Sequence, residues 1–81
     1  DKAVSEIIEY IGLRTEGVAS ILRTDAVTTS TGVEITVLTI LRYGFRVTEV
    51  ARNLQKNISR EVEQMTAFNI ETVNIEVRGL K

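Results

Sequence analysis

With 81 residues, 43% of them hydrophobic and 26% charged, the chain has room for one domain and one core, because a domain of this length buries only about 60 to 65% of its unfolded-chain surface and gains from any further burial. A net charge of −1 supplies no global attraction to nucleic acid or anionic lipid, and the lack of cysteine and histidine excludes disulfides and thiol chemistry and removes the commonest metal ligand and general base. No apolar run approaches the roughly 20 residues that span a bilayer and no basic-then-apolar leader is present, so the chain reads as soluble and intracellular, with a first residue other than Met leaving room for a trimmed flank.

Residues 1 to about 14 place Val4, Ile7, Ile8 and Ile11 on one helical face and Lys2, Glu6 and Glu9 on the other, which predicts a short amphipathic helix. Three or four turns are marginal alone in water, so this helix must dock on something. Gly12 predicts either fraying or close packing, and the helix should be over by Gly17. From Val18 onward β-branched residues dominate and predict a strand within 18–28, with a bulge or kink where Arg23 to Asp25 interrupts the apolar pattern. Thr29, Ser30, Thr31 and Gly32 predict a hairpin turn. The next strand, about 33–42, alternates Val33, Ile35, Val37, Thr39 and Leu41 on a core face with Glu34, Thr36, Leu38, Ile40 and Arg42 on its reverse. Leu38 and Ile40 are more than a fully solvated face usually carries.

Tyr43 to Phe68 is the longest periodic stretch and predicts one helix of roughly six turns, with Tyr43 and Gly44 ending the preceding strand and Phe45 stapling the helix entry. Its buried stripe is expected to hold Val47, Val50, Ala51, Leu54, Ile58, Val62, Met65 and Phe68, with Glu49, Arg52, Lys56, Arg60 and Glu63 in water. Thr48 is the expected N-cap and Asn69 the expected left-handed stop. The chain then alternates Val73, Ile75 and Val77 against Thr72, Asn74, Glu76 and Arg78, a half-buried strand. The order α-β-β-α-β predicts an α+β domain over 1–81, with two helices on one face of a three-stranded sheet. The second strand, apolar on both faces, is expected at the centre with the last strand parallel to it; a central first strand is the alternative.

These residues carry a resemblance. Tyr43-Gly44, then Glu49-Val50-Ala51 with Gln55, then Met65-Thr66, and finally Val73, Asn74, Ile75, Val77 and Gly79 resemble the alkaline shock protein family of Gram-positive bacteria, and Gly17-Val18 sit where that family has a Gly-Val pair. The likeness spans most of the chain and is dense after residue 40. The chain differs in a short Thr-rich middle, TDAVTTSTG, and in having no long charged tail. The resemblance implies no established catalytic activity and no cofactor. It implies a cytoplasmic protein tied to the cell envelope and alkaline stress, clustered in some members beneath the membrane through a membrane-anchored partner, and in others encoded near fatty-acid metabolism.

No constellation for chemistry competes with that implication. Glu61, Glu63 and Asn57 point in different directions on a helix, and Glu34, Glu71 and Glu76 read as exposed acids of a sheet. Ser5, Ser20, Ser30 and Ser59 lack a recognisable base. Arg52, Lys56 and Arg60, at i, i+4 spacing, form a basic stripe able to meet phosphates or an acidic partner, or simply to face water. Arg46, Arg52 and Lys56 are only loosely similar to the basic sets of single-strand binders, since neither a GxxG loop nor a sheet-borne aromatic pair accompanies them. The expected role is a non-enzymatic interaction or scaffold domain, metal-free, that self-associates or docks on an envelope-linked partner. Leu38 and Ile40 are the expected assembly surface; pairing through a free sheet edge, such as residues 18–29, is the other route. A regulatory adaptor of fatty-acid or envelope lipid metabolism, or a single-stranded nucleic-acid module, are the alternatives.

Overall fold

In a computed structural model that describes residues 2–81, the first helix, α1 (Lys2–Arg14), buries Val4, Ile8 and Ile11, the face their spacing selects. Gly12 is buried as well, and a Cβ there would lie 2.6 Å from Ile21 Cδ1, so this glycine serves close packing of helix on strand and not fraying. Beyond it come β1 (Val18–Thr28), β2 (Val33–Leu41), α2 (Val47–Thr66) and β3 (Ile70–Leu80). The sheet order is β1-β2-β3, with β1 antiparallel and β3 parallel to β2. The strand that is apolar on both faces is thus the central one.

Both helices lie on the face carrying Val33, Ile35, Val37 and Leu41, which close with Ile8, Ile11, Leu54, Ile58 and Val62 into one core. β1 takes one extra residue between Val18 and Ser20 and another between Ile21 and Arg23, so it carries two bulges just before the Arg23–Asp25 interruption. Thr39 sits between them. Fully buried on the core face, its hydroxyl donates to Ser20 O at 2.7 Å and satisfies a carbonyl in the irregular stretch.

The long helix is shorter than its periodicity predicts. Residues 43–46 form a turn in which Gly44 takes φ 98°, a left-handed angle that an L side chain resists. The N-cap is Arg46, with no side-chain capping bond, and Thr48 is an exposed residue of the first turn. Phe45 at N′ and Val50 at N4 flank Gly17, whose Cβ would fall 3.2 Å from Phe45 Cγ and 2.6 Å from Val50 Cγ2, which fits the expected hydrophobic staple. At the other end Ala67, not Asn69, takes the left-handed angle, at φ 62°. Thr66 supports it: its hydroxyl donates to Val62 O at 2.6 Å and accepts from Phe68 N at 3.2 Å. Asn69 instead donates from Nδ2 to Thr31 O at 2.7 Å, tying the strand start to the hairpin. The stripe is correspondingly narrower. Val50, Leu54, Ile58 and Val62 are buried, whereas Val47, Met65 and Phe68 are exposed, because the helix ends overrun the strip that the sheet and α1 cover.

Candidate functional site

The reverse face of the sheet has no layer over it among the described residues. Strand pairing sorts its side chains into rows: Val27, Glu34 and Thr72; Asp25, Thr36 and Asn74; Arg23, Leu38 and Glu76; Ser20, Ile40 and Gly79. Leu38 and Ile40 therefore sit next to each other in the middle of a polar surface, half-buried by their row neighbours. Arg23 Nε donates to Asp25 Oδ2 at 3.1 Å, and this exposed pair and Glu76 wall a shallow concavity of ≈ 200 Å³ beside Leu38 and Thr36. Around Ile40 the walls are low, since Ser20 is small and a Cβ added at Gly79 would meet nothing within 4 Å.

The basic stripe lies elsewhere. Arg52, Lys56 and Arg60 are exposed on α2, in the helical layer, and do not join Leu38 and Ile40. Arg60 Nη2 donates to Asn57 Oδ1 at 3.1 Å, and Lys56 and Arg60 border an open groove of ≈ 840 Å³ between α2 and the start of β3. Glu63 and Glu71 line that groove too, so it has no single charge sign. Of the remaining acids, Glu63 accepts from Ile70 N at 3.0 Å and Glu71 accepts from the Thr31 hydroxyl, each in a structural bond. Glu34 and Glu76 share the open face but stand two rows apart. Among the described residues no group of three Asp or Glu converges as a metal site, and no helix is long and apolar enough to cross a membrane. The three strands bear no aromatic side chain: Tyr10 is on α1, and Tyr43, Phe45 and Phe68 are in connections, so the open face offers no aromatic platform for a base.

Four side chains whose roles periodicity does not reveal, Thr15, Asn57, Gln55 and Glu63, hold the layers together. Thr15, buried, donates to Ile11 O at 3.1 Å and accepts from Asn57 Nδ2 at 3.1 Å, which joins the end of α1 to the middle of α2. Gln55 Nε2 donates to Val73 O at 2.9 Å, so α2 satisfies a carbonyl of β3. With the Glu63 bond to Ile70 N, this leaves the first half of β3 tied to the helix. The Gln that stands four residues after Ala51 in the family pattern is the one sequence signal that marks any of these bonds.

A helical layer over one face of a mixed three-stranded sheet, with its other face bare and no gathered catalytic set among the described residues, defines a small α+β domain whose distinctive surface is the sheet itself. Residues 2–81 match the model of the alkaline shock protein family, described as having a cell envelope-related function, and the chain belongs to that family. The resemblance read from Tyr43-Gly44 through Gly79 is thereby confirmed. Uncharacterized protein Spy1614 of Streptococcus pyogenes serotype M6 is 28% identical over 53 residues, which are 65% of this chain and 44% of that protein. The match thus spans less than half of that relative's length. Among solved structures, the copper form of MamM CTD superposes with a TM-score of 0.78 at 15% identity, covering 96% of this chain and 84% of the other. A nickel form of a MamM CTD variant gives a TM-score of 0.69 at 15% identity, covering 98% of both chains. At that identity the likeness establishes the fold. The metals belong to those proteins.

Proposed function

We propose that this domain is a non-enzymatic interaction or scaffold module linked to the cell envelope and to alkaline or general stress, and that it works by self-association through its open sheet face, with docking on a membrane-anchored partner as the route to the envelope. The observation that carries the reading is the position of Leu38 and Ile40: two large aliphatic side chains, adjacent and half-buried, at the centre of an uncovered sheet. Completing the burial of such a side chain contributes on the order of 1 kcal/mol, a fraction of the full transfer value, and an 81-residue domain has few other sources of added burial. The edges are poorer candidates. β1 is broken by two bulges and β3 is tied to α2 through Gln55 and Glu63, both of which discourage strand addition.

The test is sedimentation of the wild-type chain and of Leu38→Lys with Ile40→Lys over a wide concentration range. The wild type is expected to associate and the double variant to remain monomeric while keeping its far-UV spectrum. A wild type that stays monomeric at high concentration, or a double variant that assembles equally well, overturns the reading.

A further inference from the structure

Gly79 has no explanation within one copy of the chain. A register shift precedes it, between the pairs Thr39–Val77 and Ile40–Gly79, but its backbone angle lies outside the left-handed region, so the bulge does not call for glycine. A Cβ there would touch nothing within 4 Å, so internal packing does not call for it either. Gly79 is the next-to-last residue of β3, and glycine in a strand often marks a point where another backbone or a ligand comes close. Its place in the sheet says what comes close. The row Arg23, Leu38, Glu76 is long at both flanks, whereas the next row, Ser20, Ile40, Gly79, is short at both flanks. One step further lies Arg42, on the same face by strand alternation and exposed, and at the opposite end of β2 lies Glu34. The face is therefore tall beside short in shape, and acidic to basic in charge, along a single direction.

We propose that two copies of this chain pack these faces against each other about a two-fold axis that crosses β2 between Leu38 and Ile40, with the two β2 strands antiparallel. This rests on the self-association reading above and names its geometry. A two-fold interface must match a surface to itself, so that residue i meets j and j meets i. In this arrangement the tall row of each copy lies over the short row of the other. Leu38 meets Ile40 of the second copy, Arg23 lies over its Ser20, and Glu76 lies over its Gly79, one row and one strand, or about 8 Å in the plane of the sheet, from its Arg42. Aligned sheets pack about 10 Å apart with the side chains of their inner faces interdigitating, and the missing side chain at Gly79 gives Glu76 room to do so. The other two-fold, parallel to β2, sets Arg23 of each copy against Glu76 of the other, but it also stacks Leu38 on Leu38, opposes Glu34 to Glu34 and Arg42 to Arg42, and lays short row on short row, which leaves Ile40 over a gap. Charge alone does not choose between the two; the fit of tall row into short row selects the antiparallel form.

Two sets of variants test this geometry separately from self-association. Gly79→Phe is expected to melt no lower than wild type, since the site is open in one copy, and to weaken association at least tenfold in sedimentation. Glu76→Arg and Arg42→Glu are each expected to weaken it severalfold, with the combined charge swap restoring it. Wild-type association with Gly79→Phe unaffected, or rescue of Glu76→Arg by Arg23→Glu in place of Arg42→Glu, overturns this two-fold and leaves self-association standing. A wild type that never associates overturns both.

Discussion

The two faces of β2 obey one alternation and meet different fates. On one face Ile35, Val37 and Leu41 are fully buried beneath α1 and α2; on the other, one residue away along the same strand, Leu38 and Ile40 reach only partial burial between charged and small neighbours. Strand geometry assigns the faces, and the two helices, both on one side, leave the other side of the three strands bare. The covered face supplies stability. The uncovered face is a broad surface on which apolar burial can still be gained.

Equal truncations on the two faces should therefore differ most. Ile35→Ala, like Leu54→Ala or Ile58→Ala in the facing helix, is expected to destabilise by about 2 to 5 kcal/mol, whereas Leu38→Ala in the dilute chain should lose about 1 kcal/mol or less. Urea unfolding measures both, and equal losses would mean that a single copy already covers the open face. Next comes Thr39→Val, a near-isosteric change on the buried side. It removes the hydroxyl that bonds Ser20 O and is expected to cost about 1 to 2 kcal/mol, lowering the urea midpoint without altering association. Smaller still are Arg52→Ala and Lys56→Ala in the exposed helical stripe, each expected within about 0.5 kcal/mol of wild type. A larger thermal shift from either would give the stripe a structural role. Smallest of all is the effect of a chelator, expected to be none. Glu34 and Glu76 stand two rows apart on the open face, and a fall of several degrees in the melting point with chelator would reveal a bound cation that stabilises the native state.

The ends of α2 depart from the helical period for physical reasons. Helical spacing continues through Val47, Met65 and Phe68 because periodicity records only which residues could share a stripe, not where the partner surface stops. The left-handed stop falls on Ala67, a residue with no propensity for it, because Thr66 bonds and the Glu63 carbonyl hold that turn, while Asn69 is drawn away by the hairpin at Thr31. Bonds such as Thr15 to Asn57, 42 residues apart, leave no periodic trace at all.

Short-range rules govern the part of this protein that is written in its residues alone. The periods of 3.6 and 2, with the β-branched run after Val18, marked the five elements and their order, alternation assigned the two faces of β2, and the apolar reverse face of that strand favoured it over β1 as the central one. The family, too, was legible, since the pattern from Tyr43 to Gly79 is local to a strand, a helix and a strand. Tertiary packing settled the rest. It set the ends of α2, the two bulges of β1, the bonds that tie α2 to α1 and β3, and the alignment that lays the Arg23, Leu38, Glu76 row beside Ser20, Ile40 and Gly79. Apart from the local bonds of Thr66 and Glu63 that close α2, these depend on how segments far apart in the chain are brought together. Register is set by the packing of the whole core and not by any residue's own preference.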